Sequence, residues 1–237
     1  MRLKMNMRVG LSLLIAASAA GAATAIAFSV DAIADALSGQ LGRSLAFLGA
    51  TVLLQLFGLK VPGRGTVGVS AVGLIGAGIA LGAGPAMAIA VCCAFAQWLR
   101  RRGLAHRAVF DAANLALAAG AAALVFERVA DLDGSGSLRV LAALVAGLAY
   151  VLVNIGLLCL AMASSETRSP VAIWHERFQW ARFHFLAFGA LALLCASSYA
   201  QLGAAALVPF VLPPILLALS MRETLERFRR DSAHVHA

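Results

Sequence analysis

The sequence is poor in charged residues, and above all in acidic ones. Only 11 Asp and Glu stand against 19 Lys and Arg, and the four types together make up 13% of the 237 residues. A soluble domain carries about 25% charged residues. With 62% hydrophobic residues and a mean hydropathy of +0.89, the composition excludes an ordinary soluble protein. No long polar linker divides the chain.

Signatures of enzyme chemistry are also scarce. The sequence has no glycine-rich phosphate loop and no His–Glu cluster with the spacing of a metal site. Its cysteines all lie inside apolar stretches, and the adjacent Cys92 and Cys93 do not form the redox pair that two intervening residues would allow. We therefore expect a protein that is not an enzyme, with no cofactor and no metal. We interpret Cys92, Cys93, Cys159 and Cys195 as buried apolar residues.

Long apolar stretches dominate what remains. A helix that crosses the hydrocarbon core needs roughly 20 apolar residues, which predicts an all-α polytopic membrane helix bundle of about eight transmembrane helices. The stretches are 9–29, 44–59, 67–83, 85–99, 108–127, 139–163, 183–200 and 203–220. Two of them, 67–83 and 85–99, are short and joined only by Gly84, which predicts two short tilted spans or a re-entrant pair. The first stretch has a basic start and partly imitates a secretory signal peptide, but its length favours a retained helix.

The basic residues fall in every second gap between these stretches. With the N-terminus in the cytoplasm, the outer side holds only Arg43, Arg128 and Arg139 of the 19 basic residues. The positive-inside rule then places both termini in the cytoplasm and indicates an integral protein of the bacterial cytoplasmic membrane. The net charge of +8 lies beside the membrane ends. We assign it to contact with anionic headgroups of the lipid bilayer and not to nucleic acid.

Two polar gaps and the tail carry helical patterns. Residues 164–182 mix aromatic and charged side chains, which suits a short helix in the membrane interface. Residues 31–43 place Ile33, Leu37 and Leu41 on one helix face. We divide the chain into a transmembrane helical domain, 1–220, and a cytoplasmic tail helix, 221–237. That tail has acidic and basic residues at i, i+4 spacing.

Polar residues inside the apolar stretches are the candidate functional residues, because each is costly in hydrocarbon without a partner. Asp111 lies one turn after Arg107, as an i, i+4 pair, and Asn114 follows on the face of Asp111. Asn154 lies at a similar depth in the neighbouring antiparallel helix, so the two amides are predicted to form a hydrogen bond. Asn114 and Asn154 form either a structural pair that fixes helix register or, together with Asp111, a site for a polar ligand or ion.

Other polar and small residues favour structural roles. Gln55, Gln97 and His184 lie near the ends of stretches and are expected to reach the interface. The third stretch and its flanks are rich in glycine, which predicts close helix packing, with room for a substrate as the alternative. The glycines are Gly68, Gly73, Gly76, Gly78, Gly82 and Gly84.

Several short motifs resemble the multi-span sensor modules that precede cyclic-di-GMP signalling domains of the HD-GYP or GGDEF type in bacteria. They are Val61-Pro62-Gly63, Gly82-Ala83-Gly84-Pro85, Phe110-Asp111-Ala112-Ala113-Asn114, Val153-Asn154-Ile155 and Trp174-His175-Glu176-Arg177-Phe178, followed by the charged exit helix. The resemblance covers the chain from about residue 40 and implies a non-catalytic input domain. The chain departs from these modules because no output domain follows, which implies a stand-alone relative that acts through a partner, or an isolated module.

Two functions therefore remain. The first is a membrane sensor, signal-input or interaction protein with a cytoplasmic or membrane protein partner. Its polar core would be formed by Asn114, Asn154 and Asp111. The second is a small-solute transporter, or the substrate-binding membrane subunit of one, energised by separate subunits. A transporter predicts a roomy polar pocket in mid-membrane, whereas a sensor tolerates a packed core. A small-molecule ligand is compatible with both. An intramembrane enzyme is the weakest interpretation because catalytic residues are missing.

Overall fold

The computed structural model describes residues 2–61, 65–67, 69–132, 136–166, 168–178, 184–217 and 219–220. The described chain is helical apart from one short antiparallel hairpin. Its helices are α1 (Arg2–Ala27), α2 (Val30–Gly39), α3 (Leu41–Leu56), α4 (Ser70–Leu81), α5 (Ala83–Arg101), α6 (Ala105–Ala130), α7 (Gly136–Glu166), α8 (Pro170–Ile173), α9 (His184–Leu202) and α10 (208–217). A π-helical turn, Trp174–Phe178, follows α8, and a 3₁₀ turn, Gly203–Leu207, precedes α10. The hairpin pairs β1 (Leu59–Val61) with β2 (Gly65–Val67).

Within these residues the membrane character is clear, but the predicted number of spans is not confirmed. Five helical stretches are long and apolar enough to cross a membrane, or six if α2 and α3, bent by 105°, count as one span. Helix α4 has only 12 residues. The predicted stretches 183–200 and 203–220 fall in one apolar stretch, Leu186–Leu217, which the 3₁₀ turn interrupts. The count of about eight and the orientation stay predictions.

The joint between α4 and α5 lies at Gly82 and not at the predicted Gly84. Gly82 has φ of +88°, a backbone conformation that glycine adopts without a steric cost, and it ends one helix and begins the next. Gly84 already belongs to α5, where Pro85 fits the first turn. A Cβ at Gly84 would lie 2.9 Å from Ser29 Cβ. The prediction failed because the close approach of α2, and not a turn, requires the small residue.

Small residues bring the central helices together. Ala116, Ala119 and Ala122 of α6 and Ala142, Ala143 and Ala146 of α7 are fully buried. Alanine loses no side-chain entropy in a helix and lets two backbones approach closely. Helices α6 and α7 thereby form an antiparallel pair at the centre of the bundle, against which α1, α5 and α9 pack.

The glycines of α4 mark close crossings, as the packing interpretation predicted. A Cβ at Gly73 would lie 2.5 Å from Thr51 Oγ1 on α3, and one at Gly78 would lie 2.9 Å from Ala123 Cβ on α6. Residues 70–78 of α4 are all buried. Gly68 lies outside the described residues. The alternative prediction, a space for a substrate beside Gly73 or Gly78, is therefore wrong, because residues of neighbouring helices fill that volume.

Contacts between the helices define two ends of the bundle. At one end the last turn of α3 meets the first residue of α4 through Gln55 and Ser70, and the last turn of α5 joins them through Gln97. Arginines Arg100, Arg101 and Arg102 lie at this end, which we call the basic end. At the other end Arg43, Ile79 and Gln201 line one cavity. We call this end the acidic end, because α2 brings Asp31 and Asp35 to it and Glu127 lies beside Gly82.

The gap 164–182 is only partly described. The Ser169 side chain accepts a hydrogen bond of 3.1 Å from the Ala172 amide and caps α8, whose Ile173 is fully buried. Arg177 then forms a two-point ion pair with Glu166 at 2.9 Å, which holds the π-helical turn beside the end of α7. A short helix is therefore present in this gap and packs against α7, while its predicted place in the membrane interface stays a prediction. Residues 179–183, the turn residues 133–135 and the tail helix 221–237 lie outside the described residues.

Candidate functional site

The predicted contact between the two intramembrane asparagines is confirmed. Asn114 Nδ2 donates a hydrogen bond of 2.8 Å to Asn154 Oδ1. Asn114 is only 3% exposed, whereas Asn154 is half-buried. The antiparallel packing of α6 and α7 brings both side chains to one depth, because each lies a similar distance from its helix end at the basic end. This bond fixes the register of the two helices.

The bond leaves half of one amide without a partner. Asn114 Oδ1 is buried and accepts no hydrogen bond from any described residue. An unsatisfied buried acceptor costs about 1–3 kcal/mol. The pair is therefore not fully hydrogen-bonded. Asn114 Oδ1 can still accept a hydrogen bond, and a ligand, a water molecule or a rearranged side chain would supply the donor.

A tyrosine and a cysteine extend the polar cluster. Tyr150 is 2% exposed on α7, one helical turn from Asn154, and its hydroxyl lies within hydrogen-bonding range of the Asn154 side chain. The fully buried Cys93 of α5 lies near enough to the Tyr150 hydroxyl to interact with it electrostatically. Sequence spacing signals this tyrosine, because residues 150 and 154 share one helix face. We call Asn114, Asn154 and Tyr150 the amide–tyrosine cluster.

Asp111, the third candidate residue, does not join this cluster. It is exposed at the basic end, where Arg101 and Arg107 provide the nearby positive charge. The predicted sharing of charge within the i, i+4 pair agrees with this arrangement, since Arg107 is one of the two arginines whose charge acts on the Asp111 carboxylate; the direct ion pairs given for the described residues are those of Arg168 with Glu176 and Arg177 with Glu166. The i, i+4 spacing permits such a pair, but the charge of Arg101 competes for the same carboxylate. Asp111 therefore lies on the exposed surface at the basic end, outside the cluster of buried amides.

A second polar cluster was missed by the sequence interpretation. The side-chain amides of Gln55 and Gln97 contact each other, Ser70 Oγ donates to Gln55 Oε1, and the Arg101 guanidinium donates to the Gln97 amide oxygen at 3.0 Å. Both glutamines are half-buried and Ser70 is 2% exposed. Gln55 and Gln97 find partners on neighbouring helices, which the sequence did not indicate, and their position at the membrane interface stays a prediction. The side chain of His184 lies outside the described residues.

The remaining candidate chemistry is sparse. Across the part of the chain that the structure describes, no group of three or more His, Cys, Asp or Glu side chains is placed to hold a metal ion. Cys93, Cys159 and Cys195 are buried thiols, as predicted, whereas Cys92 is exposed on α5, which contradicts the interpretation that all four are buried. Periodicity explains the difference, because adjacent helical residues cannot share one face.

Two cavities lined by described residues lie away from the amide–tyrosine cluster. One, of about 370 Å³, opens at the acidic end between Arg43 and Arg139. The other, of about 270 Å³, is apolar and lies between α3 and α10, from Ala46 to Ile215. Asn114 and Asn154 line neither of them.

Comparisons with known proteins found no match: no family model, no curated protein sequence and no solved structure is similar to this chain.

Proposed function

We propose that the protein is a non-catalytic sensor or signal-input protein of the bacterial cytoplasmic membrane, which acts through a protein partner. The observation that carries this proposal is the incompletely bonded amide pair inside a packed core. A buried polar group without a partner gains a hydrogen bond when a ligand binds or when a helix shifts. Two conformations of the protein, one with and one without that bond, then differ in free energy, and a ligand shifts the equilibrium between them. Helices α6 and α7, which pack through alanines, are the two helices that would move relative to each other in such a shift.

The alternative function is a small-solute transporter, and the position and lining of the two cavities help to judge it. A transported polar solute needs a site near mid-membrane with several polar groups. The amide–tyrosine cluster lies on neither cavity, and the cavity of about 270 Å³ is lined by apolar residues. These observations favour a packed polar element over a solute pocket. The similarity to modules that precede HD-GYP or GGDEF domains supports the same choice.

The test of this function is affinity purification in mild detergent from the native host, followed by mass spectrometry. We expect a cytoplasmic regulator, such as a cyclic-dinucleotide enzyme, to co-purify. An Asn114→Leu protein serves as the matched comparison, because it removes the unpaired acceptor and should change the amount of partner recovered. Recovery of an ATPase with a membrane coupling subunit, or of a bound solute, would support the transporter and reject the sensor.

We also propose that the chain crosses the membrane eight times with both termini in the cytoplasm. Helix α3 runs from Arg43 at the acidic end to Gln55 at the basic end, and α4 returns. Gly203 has φ of +67°, and Ala204, Leu207 and Ile215 after it line the same cavity as Ala46 and Leu53 of α3. This contact favours a reversal of the chain at Gly203 and hence a final span that returns to the basic end.

Labelling with a membrane-impermeant thiol reagent tests this topology in a protein whose four cysteines are replaced by alanine. Gln201→Cys should react in intact cells, whereas Ser220→Cys and Gly103→Cys should react only after lysis. If Leu186–Leu217 were instead one straight span, Ser220→Cys would react from outside and Gln201→Cys would be protected in the membrane. Labelling of Gly103→Cys in intact cells would reverse the proposed orientation.

A further inference from the structure

Two of the three arginines expected on the outer side share one cavity at the acidic end. Arg43 comes from α3 and Arg139 from α7, and the cavity of about 370 Å³ between them has Ser197, Tyr199 and Gln201 of α9 in its wall. Cavities that hold small molecules measure about 300–1,000 Å³. The space is therefore large enough for a small ligand and is lined by hydrogen-bond donors.

Arg43 is held in position for binding. Its Nη1 donates a hydrogen bond of 2.9 Å to Gln40 Oε1, and its guanidinium carbon lies 5.8 Å from the centroid of the Tyr199 ring. Tyr199 in turn packs against the buried Phe47, with the ring centroids 5.2 Å apart. Both contacts fix the guanidinium plane, while most of its five N–H donors remain available. A fixed arginine loses less conformational entropy when it binds an oxyanion.

Among the described residues, no carboxylate lines the cavity beside the two arginines. At the acidic end the structure describes Asp31, Asp35, Glu127 and Asp131, and none of them lines the cavity. Two guanidinium groups that face one partly enclosed space repel each other. A bound anion removes this repulsion and accepts two-point hydrogen bonds of the kind that arginine forms with phosphate and carboxylate.

The apolar part of the wall restricts the ligand further. Ile79 and Ala80 of α4 and Ala196 and Ala200 of α9 lie beside the polar groups. A free inorganic ion would leave this surface uncovered, whereas a ligand with an anionic head and an apolar body would cover it. The ligand chemistry is shared by a phospholipid headgroup with its attached chain and by a soluble organic phosphate or carboxylate.

We propose that the cavity between Arg43 and Arg139 is a binding site for an amphiphilic anion, with the phosphate or carboxylate between the two guanidinium groups. The site is separate from the amide–tyrosine cluster and does not depend on the proposed sensor function. Tyr199 connects it to the core through Phe47, so an occupied site also stiffens the contact of α9 with α3.

The experiment measures the thermal unfolding midpoint of the full chain in nanodiscs. One arm compares phosphatidylcholine alone with phosphatidylcholine containing phosphatidylglycerol, and the other adds inorganic phosphate or hexyl phosphate to phosphatidylcholine nanodiscs. A ligand that binds the folded state raises the midpoint. A rise with phosphatidylglycerol identifies a lipid headgroup as the source, and a rise with hexyl phosphate identifies a soluble ligand. A response to neither probe overturns the proposal.

Substitutions separate the cavity from general surface charge. Arg43→Gln and Arg139→Gln should each weaken the apparent affinity roughly tenfold, because each removes a charge-assisted contact. Arg128→Gln is the matched control, since Arg128 is exposed near the same end of the bundle but does not line the cavity. Arg139 is itself exposed, so its substitution is expected to leave folding intact. An equal loss of affinity in Arg128→Gln would show diffuse attraction and reject the site.

Discussion

Among the described glycines, Gly189 at the contact of α7 with α9 leaves the least room for an added atom, and a single methyl group tests this contact. A Cβ at Gly189 would contact the Ala143 carbonyl oxygen and would lie 2.9 Å from Ala143 C and 3.1 Å from Leu144 Cα. Non-bonded carbons normally lie about 3.5–4.0 Å apart. All three atoms belong to the α7 backbone, so no rotamer change relieves the clash. In Gly189→Ala the two helices must therefore separate by at least about 0.5 Å.

The expected magnitude follows from two opposing effects. Overpacking of a tight interface costs about 1–3 kcal/mol, and the absence of a flexible neighbour favours the upper part of that range. Alanine in place of glycine returns up to about 1 kcal/mol through helix propensity. We expect Gly189→Ala to lower the free energy of unfolding by about 1–2 kcal/mol. Gly156→Ala is the matched control, because a Cβ there meets no atom within 4 Å, and it should be neutral or stabilising.

Thermal unfolding in detergent, followed by the loss of the monodisperse peak in size-exclusion chromatography, measures the difference. In a chain of this size about 1 kcal/mol shifts the midpoint by roughly 2–4 °C. Gly189→Ala should therefore unfold several degrees below Gly156→Ala. A second substitution, Ala143→Gly, should not rescue the loss, because the clash involves the Ala143 backbone and not its methyl group. Equal midpoints for the two alanine variants would refute the proposed close approach.

Three further predictions, each with its own set of substitutions, test other parts of the fold. Asn154→Leu should destabilise more than Asn114→Leu, because only Asn154→Leu leaves both polar atoms of Asn114 unpaired; additive effects in the double variant would rule out their contact. Arg102 has φ of +46°, so Arg102→Gly should have a free energy of unfolding about 1 kcal/mol higher than that of Arg102→Ala, and no difference would exclude strain at this position. Gly73→Ala should lower the midpoint through its clash with a β-branched side chain, whereas Gly49→Ala, which meets no atom within 4 Å, should not; a matching loss in both would point to a general sensitivity to substitution.

The membrane character and the asparagine pair were predictable from sequence, since both depend on simple counting. Apolar length identifies a helix, and the depths of Asn114 and Asn154 follow from counting residues to their helix ends. The unpaired state of Asn114 Oδ1 was not predictable, because it depends on which hydrogen-bond donors the neighbouring helices place beside it. The Gln55–Gln97–Ser70 cluster was missed for a related reason: its members come from three helices, and no spacing in the sequence relates them.

The position of the break at Gly82 was also beyond the sequence interpretation. Gly82 and Gly84 both precede Pro85 and both fit a turn by composition. Only the packing of Ser29, which directly precedes α2, against Gly84 distinguishes a glycine that permits close approach from a glycine that reverses the chain. Tertiary contact therefore decided between two equivalent local signals.

The short length of α4 has a physical explanation in its surroundings. A lipid-exposed helix must match a hydrocarbon core of about 30 Å, and the 12 residues of α4 extend only about 18 Å. However, residues 70–78 are buried among neighbouring helices, so protein and not lipid surrounds most of α4. Ser70 reaches the glutamine cluster at the basic end, while Ile79 and Ala80 reach the arginine cavity at the other. A helix enclosed in this way needs to connect two polar layers of the protein and does not need to match the bilayer. The short length of α4 therefore follows from its surroundings inside the protein.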